Sequence, residues 1–242
     1  MGGSSSLTVT PSRSRVTGVV TSCNRHHLLE RTLDSFLANN TYPLEQIIVV
    51  EDGDQISYEL QDKYKSQRIL WLSTGRRVGQ IAAIDYAYSR VKTPYIFHFE
   101  DDWEFYRQGF IERSIQVLRR HRKCLQVWIR SLKDTSGHPS EPRTRRVNDV
   151  RWQKLTLDYE GIWHGFSFNP GLRRLADYVA IGGYGNCAQF DFRRPNKAEA
   201  AIGRLYKDWG YFAAILSEPI EGYVKHVGTG QHVGPPECQE PV

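Results

Sequence analysis

The chain has 242 residues, 40% of them hydrophobic and 24% charged, with a net charge of +5. This is the composition of a soluble globular protein with a full core, and no run of about 18 apolar residues offers a membrane-spanning helix. Its four cysteines (Cys23, Cys124, Cys187, Cys238) show no CxxC spacing, which argues against a zinc site or a disulfide framework and for a reducing, cytoplasmic setting.

Residues 1–15 read as a small, polar leader. From there strand-like and helix-like segments alternate. A β-rich apolar run covers 16–21, apolar residues at helical spacing 27–37, and a buried-type strand 46–50. A helix follows near 57–65, a strand at 69–72, a helix at 80–90 rich in Ala, a strand at 95–99 and a helix at 110–121. Strands alternating with helices predict an α/β fold with a mainly parallel sheet covered on both faces. After about residue 133 the rhythm breaks into basic, Pro-containing loops, read as extending over 133–171. A helix at 197–209, a short strand at 211–216 and a segment at 224–228 then precede a tail over 233–242. No internal repeat or long linker divides the chain, so 16–232 is read as one domain with halves 16–130 and 131–232.

Ligands of parallel sheets collect at the carboxyl ends of the strands. Four such ends are polar here: Thr21-Ser22-Cys23-Asn24-Arg25, Glu51-Asp52-Gly53-Asp54, Ser73-Thr74-Gly75-Arg76-Arg77 and Glu100-Asp101-Asp102. The last is the most telling. An apolar strand stops at three consecutive carboxylates, which repel one another unless a cation lies nearby. Hard oxygen ligands suit Mg²⁺ or Mn²⁺ bound together with substrate phosphates. That makes Asp102, with Asp101 or Glu100, a candidate metal–diphosphate site; a solvated acidic turn is the competing reading. The positive excess concentrates at 119–123 and 133–151. Without interleaved aromatic residues these stretches do not suit nucleic acid, and they read as solvated loops or as a clamp for an anionic ligand.

Taken in order, these residues resemble the GT-A glycosyltransferases, family 2 in particular, over most of 16–232. Thr21 to Arg25 with Leu29, Thr32, Leu33 and Ser35 is similar to the family's opening strand, turn and helix. Glu51-Asp52-Gly53-Asp54 resembles its second acidic turn, and Gly79, Ala83 and Asp85 its glycine-to-helix element. Glu100-Asp101-Asp102 occupies the place of the metal-binding DxD motif, with Glu replacing the first Asp. Ile181-Gly182-Gly183-Tyr184 and Lys197-Ala198-Glu199 are similar to the segments around the catalytic acid, with Ala200 where an Asp is usual. His226 resembles the late histidine that completes the metal site.

The resemblance implies transfer of a sugar from a nucleotide-diphosphate donor, UDP-linked as first choice, to a hydroxyl of a glycan, lipid-linked or small-molecule acceptor. It implies Asp102 and His226 as metal ligands, with Glu100 or Asp101 helping, and the imidazole tilts the metal from Mg²⁺ toward Mn²⁺. Glu199 is the implied general base, with inversion at the anomeric carbon; its competing role is an exposed acid at a helix start. Thr21, Arg25, Asp52, Arg76 and Asp101 are the implied donor-binding residues. The lesser reading of Asp52 is a turn residue before Gly53, and Arg25 and Arg76 can be plain surface charges. Two other classes compete: a sugar nucleotidyltransferase, which the glycine-free 21–25 turn disfavours, and a non-catalytic nucleotide- or carbohydrate-binding module, which the departures at Glu51, Glu100 and Ala200 favour. The basic loops permit peripheral contact with a membrane-borne acceptor, and homo-oligomerisation is left open.

Overall fold

The computed structural model describes residues 14–187 and 195–230. The expected tail, nearly all of the expected leader, His232 and Cys238 lie outside the described residues. The first half follows the alternation read from the sequence: Val16–Ser22 (β1), His26–Asn39 (α1), Gln46–Glu51 (β2), Tyr58–Lys63 (α2), Ile69–Ser73 (β3), Gln80–Tyr88 (α3) and Tyr95–Glu100 (β4). Trp103–Phe105 (β5), Phe110–Arg120 (α4), Cys124–Trp128 (β6), Arg145–Val147 (β7), Val150–Lys154 (β8) and Gly171–Arg174 (β9) come next. Leu175–Ala180 (α5), Pro195–Asp208 (α6), Phe212–Leu216 (β10) and Val224–His226 (β11) complete the order.

The main sheet has nine strands in the order β3-β2-β1-β4-β9-β6-β10-β8-β7. Pairs β1–β2, β1–β4, β2–β3 and β6–β10 are parallel, whereas β9 is antiparallel to β4 and β6, and β8 to β10 and β7. All strands except β9 and β8 therefore run one way, which gives the mainly parallel sheet that the alternation implies. β5 and β11 form a separate two-stranded ribbon.

Each side of the sheet is covered because β1, β2 and β4 are apolar on both faces. Val16, Val20, Ile47, Val49, Phe97 and Phe99 pack on one side with Leu29, Leu33 and Phe36 of α1 and Phe110 of α4. Phe36 lies at the centre, its ring 4.6 Å from Phe99 and 5.1 Å from Phe105. On the other side Val19, Ile48, Val50 and Ile96 meet Ile81, Ile84 and Tyr88 of α3, with Phe166, Tyr184 and Tyr206 extending the layer.

The chain after α4 holds more structure than its sequence suggests. The apolar run Cys124–Trp128 is a fully buried strand. The stretch read as basic loop contains the β7–β8 hairpin, because Trp152 and Val150 are buried and pack towards α4 while the arginines occupy the edge. A short, charged edge strand also keeps the sheet from pairing with other chains.

Candidate active site

Strands β1 and β4 are neighbours, yet the chain leaves β1 towards β2 and β3 before returning on the other side as β4. Their carboxyl ends thus form the crevice where the strand order reverses, the usual ligand position in such sheets. The register sets Thr21 against Glu100 and Ser22 against Glu51. Polar side chains that are distant in sequence are brought together there by main-chain pairing.

The three acids have different partners. Asp101 is fully buried and faces the start of α1: Arg25 donates to both its carboxylate oxygens, with Nε–Oδ2 at 3.2 Å, and its backbone carbonyl accepts from Thr32 Oγ1 at 2.6 Å. Burial pushes its carboxyl up to about 7 against the pull of Arg25. Asp102 Oδ2 accepts from Arg25 Nη1 at 2.9 Å and lies 3.2 Å from His226 Nε2, while Oδ1 is buried with no hydrogen-bond partner. Burial opposes ionisation of Asp102, but the His226 hydrogen bond and Arg25 hold its carboxyl below the ordinary range. Glu100 accepts from Gln80 Nε2 at 2.6 Å and from Trp103 Nε1 at 3.3 Å. Burial, then the charges of Asp102 and Glu199, push it up to about 8.

His226 reaches Asp102 because β11 pairs with β5, setting His226 opposite Trp103, and Val227 N–H donates to the Asp102 carbonyl at 2.8 Å. The chain continues so close to the acid that a Cβ on Gly228 would lie 2.5 Å from Asp102 Oδ2. Only glycine fits that approach.

On the β2 side, Asp52 accepts from Val78 N–H at 2.6 Å and Gly79 N–H at 2.9 Å and so ties the second strand end to the turn before α3. Glu51 is fully buried and accepts from Asn24 N–H at 2.5 Å. Thr21 is buried, and its carbonyl receives Asp101 N–H at 3.0 Å. Arg76 is exposed, whereas its neighbour Arg77 lies against Cys23, whose thiol is raised by burial and Asp52 and lowered by Arg77.

Glu199 stands on the first turns of α6. Its Oε1 accepts from Phe168 N–H at 2.6 Å and Ser167 Oγ at 3.0 Å. Burial raises its carboxyl, opposed by the Phe168 and Ser167 hydrogen bonds and by Arg173 and Arg130. Glu100 feels both Asp102 and Glu199, so the three acids share one electrostatic neighbourhood. Gln80, Arg77 and Ser167 had no individual site role in the sequence. Of these, Gln80 and Arg77 belong to segments recognised as site-forming, whereas Ser167 carries no motif.

Among the described residues, no group of three or more His, Cys, Asp or Glu side chains is arranged to hold a metal ion. Asp102 and His226 do converge, and the orphaned Oδ1 of Asp102 offers a further oxygen. Two protein ligands with the remaining positions left to phosphate oxygens and water is the way Mg²⁺-type ions are commonly held, so the residues fit such an ion.

Residues 17–190 match the profile of glycosyl transferase family 2. No curated protein sequence matches the chain. Among solved structures, Staphylococcus aureus TarS 1–349 superposes with a TM-score of 0.60 at 14% identity, covering 88% of this chain and 60% of that one. A mannosyltransferase from Pyrobaculum calidifontis, solved with GDP-Man and Mn²⁺, gives a TM-score of 0.60 at 15% identity over 88% of this chain and 59% of that one. TarS 1–349 bound to UDP gives 0.59 at 14% identity, covering 87% and 59%. The chain thus spans about 60% of the length of these structures, which share its GT-A fold. With most of its length inside the family profile, the chain belongs to glycosyl transferase family 2.

Proposed function

We propose that the protein transfers a sugar from a nucleoside-diphosphate donor to an acceptor hydroxyl, with a divalent ion at Asp102 and His226 and inversion at the anomeric carbon. The observation that carries this reading is the meeting of Asp102 and His226 at the β1–β4 crevice, with Asp102 Oδ1 left unpartnered. Structures of the same fold were solved with GDP-Man and Mn²⁺ or with UDP, which supports this ligand class.

Asp102 and His226 would hold the ion; bound, it would neutralise charge on the departing diphosphate. Arg25 already spans Asp101 and Asp102 and would keep both carboxylates oriented. The Asp52–Gly79 turn would shape the nucleotide side of the crevice, with Thr21 forming its floor and Arg76 available at its rim. Glu199 would take the proton of the attacking hydroxyl, a contribution of about 10²–10⁴-fold. A direct displacement opposite the leaving group then inverts the configuration. The exposed arginines of the β7–β8 hairpin would suit an acceptor carried at an anionic surface.

The test is release of nucleoside diphosphate from UDP- and GDP-sugars with Mn²⁺, Mg²⁺ or chelator, alone and with a panel of hydroxyl acceptors. Metal-dependent release stimulated by one acceptor supports the reading. No release from any donor contradicts it.

A further inference from the structure

Arg173, in the middle of β9, is 2% exposed. It faces Ile96 on one side and Gln126 on the other, both in the sheet interior. Burying a guanidinium is expensive unless its charge and its N–H groups are matched. Yet no ion pair joins Arg173 to a carboxylate among the described residues, and its Nε and Nη1 are buried without a hydrogen-bond partner. Its aromatic surroundings compensate the charge only in part: the guanidinium sits over the Phe166 ring at 5.6 Å, and the Tyr184 side chain interacts with it. Its Nη2 donates to the Ser167 carbonyl at 3.1 Å.

Ser167 is where that bond acquires a direction. Its Oγ accepts from Asn169 N–H at 3.1 Å, so the hydroxyl proton is turned the other way, to Glu199 Oε1 at 3.0 Å. Phe168 N–H adds a second donor to the same oxygen at 2.6 Å. The turn at 167–169 therefore grips one oxygen of Glu199 from two sides, and the buried arginine grips the turn. A base oriented by a second group, itself held by a third, is the arrangement proton transfer in catalysis requires.

We propose that Ser167 and Arg173 are positioning residues for Glu199: together they fix Oε1, compensate the buried carboxylate charge, and leave Oε2 to receive the proton of the acceptor hydroxyl. The inference rests on the reading of Glu199 as the base. It also accounts for a buried cation that has only aromatic partners and a backbone carbonyl around it. The charged groups facing Glu199 are Glu100 from β4, Arg130 after β6 and Arg173 from β9, so the arginines oppose both burial and the acidic neighbour.

The experiment needs no knowledge of the acceptor. The protein is labelled with ¹³Cδ-glutamate, the Glu199 resonance is assigned from its absence in Glu199→Gln, and its titration is followed in wild type, Ser167→Ala, Ser167→Thr and Arg173→Lys. Loss of one hydrogen bond to a charged oxygen should move the Glu199 midpoint upward by about one pH unit in Ser167→Ala. Ser167→Thr, which keeps the hydroxyl, should restore it, and Arg173→Lys, which keeps the charge, should shift it less than Ser167→Ala. Hydrolysis of UDP-sugar or GDP-sugar, measured alongside, should lose about tenfold in kcat with KM unchanged in Ser167→Ala. An unchanged Glu199 titration in Ser167→Ala, with folding verified by thermal melting, overturns the inference. If instead Glu199→Gln hydrolyses donor at the wild-type rate, the assignment of the base fails, whatever the titration shows.

Discussion

Asp102 Oδ2 and His226 Nε2 lie 3.2 Å apart, joined through a two-stranded ribbon rather than through the main sheet. The late segment of the chain is thereby hooked onto the acid in the turn that follows the fourth strand. If this pair is the metal site, His226→Ala should weaken Mn²⁺-dependent nucleotide binding by about tenfold or more, about 1.4 kcal/mol, while metal-independent binding stays unchanged. Calorimetry with and without chelator separates the two, and equal losses in both would speak against a ligand role.

The approach of Gly228 to Asp102 gives a second test of the same geometry. A methyl group there would come within 2.6 Å of Asp102 Cβ, so Gly228→Ala must push the acid or the strand aside. The variant should keep its melting cooperativity yet lose metal-dependent binding. Undiminished binding would mean that the β11 segment can withdraw from Asp102 at no cost.

For Glu199→Gln the expected loss is about 10²–10⁴-fold in kcat, with nucleotide affinity preserved. The amide keeps the size of the side chain and removes the proton acceptor. A loss confined to nucleotide binding would move Glu199 from the chemistry to the donor site.

Glu100 should leave a mark on stability. Its folded value of about 8 lies above the ordinary glutamate value of 4.5, so the folded state holds a proton that the unfolded chain releases. The stability this contributes is present below about pH 4.5 and is lost as pH rises through 8. In chelator, Glu100→Gln should match wild type in melting temperature near pH 5 and exceed it near pH 8.5. A constant difference across that range would show that Glu100 is solvated enough to ionise freely.

Phe36 tests the scaffold independently of the site. Four phenylalanine rings, 97, 99, 105 and 110, surround it within 6.0 Å. Phe36→Ala should cost about 3–5 kcal/mol, read as a lower denaturant midpoint with an unchanged slope.

The alternation of strands and helices in the first half was legible because its apolar runs are β-branched and separated by segments of helical spacing. Beyond α4 the readings at 197–209, 211–216 and 224–228 match α6, β10 and β11, whereas β6 to β9 and α5 were not legible. β9 has four residues with two arginines, and its strand identity comes from the backbone slots offered by β4 and β6 on either side. β7 and β8 read as loop because charged residues mask the buried Trp152. At the site, the acids at 100–102 announced themselves through like-charge crowding, and Glu199 and His226 only through family resemblance. That Arg77 rather than Arg76 turns inward is a matter of backbone direction after β3, which no residue type encodes. Ser167 and Arg173 carry no motif, since their roles arise from a turn seen only in three dimensions.

The most direct test of the account is calorimetric titration of UDP, GDP and TDP, each with and without Mn²⁺, on wild type and Asp102→Ala. One nucleotide should bind in a metal-dependent way, and Asp102→Ala should lose this dependence. No binding by any of the three, or metal-dependent binding undiminished in Asp102→Ala, would contradict it.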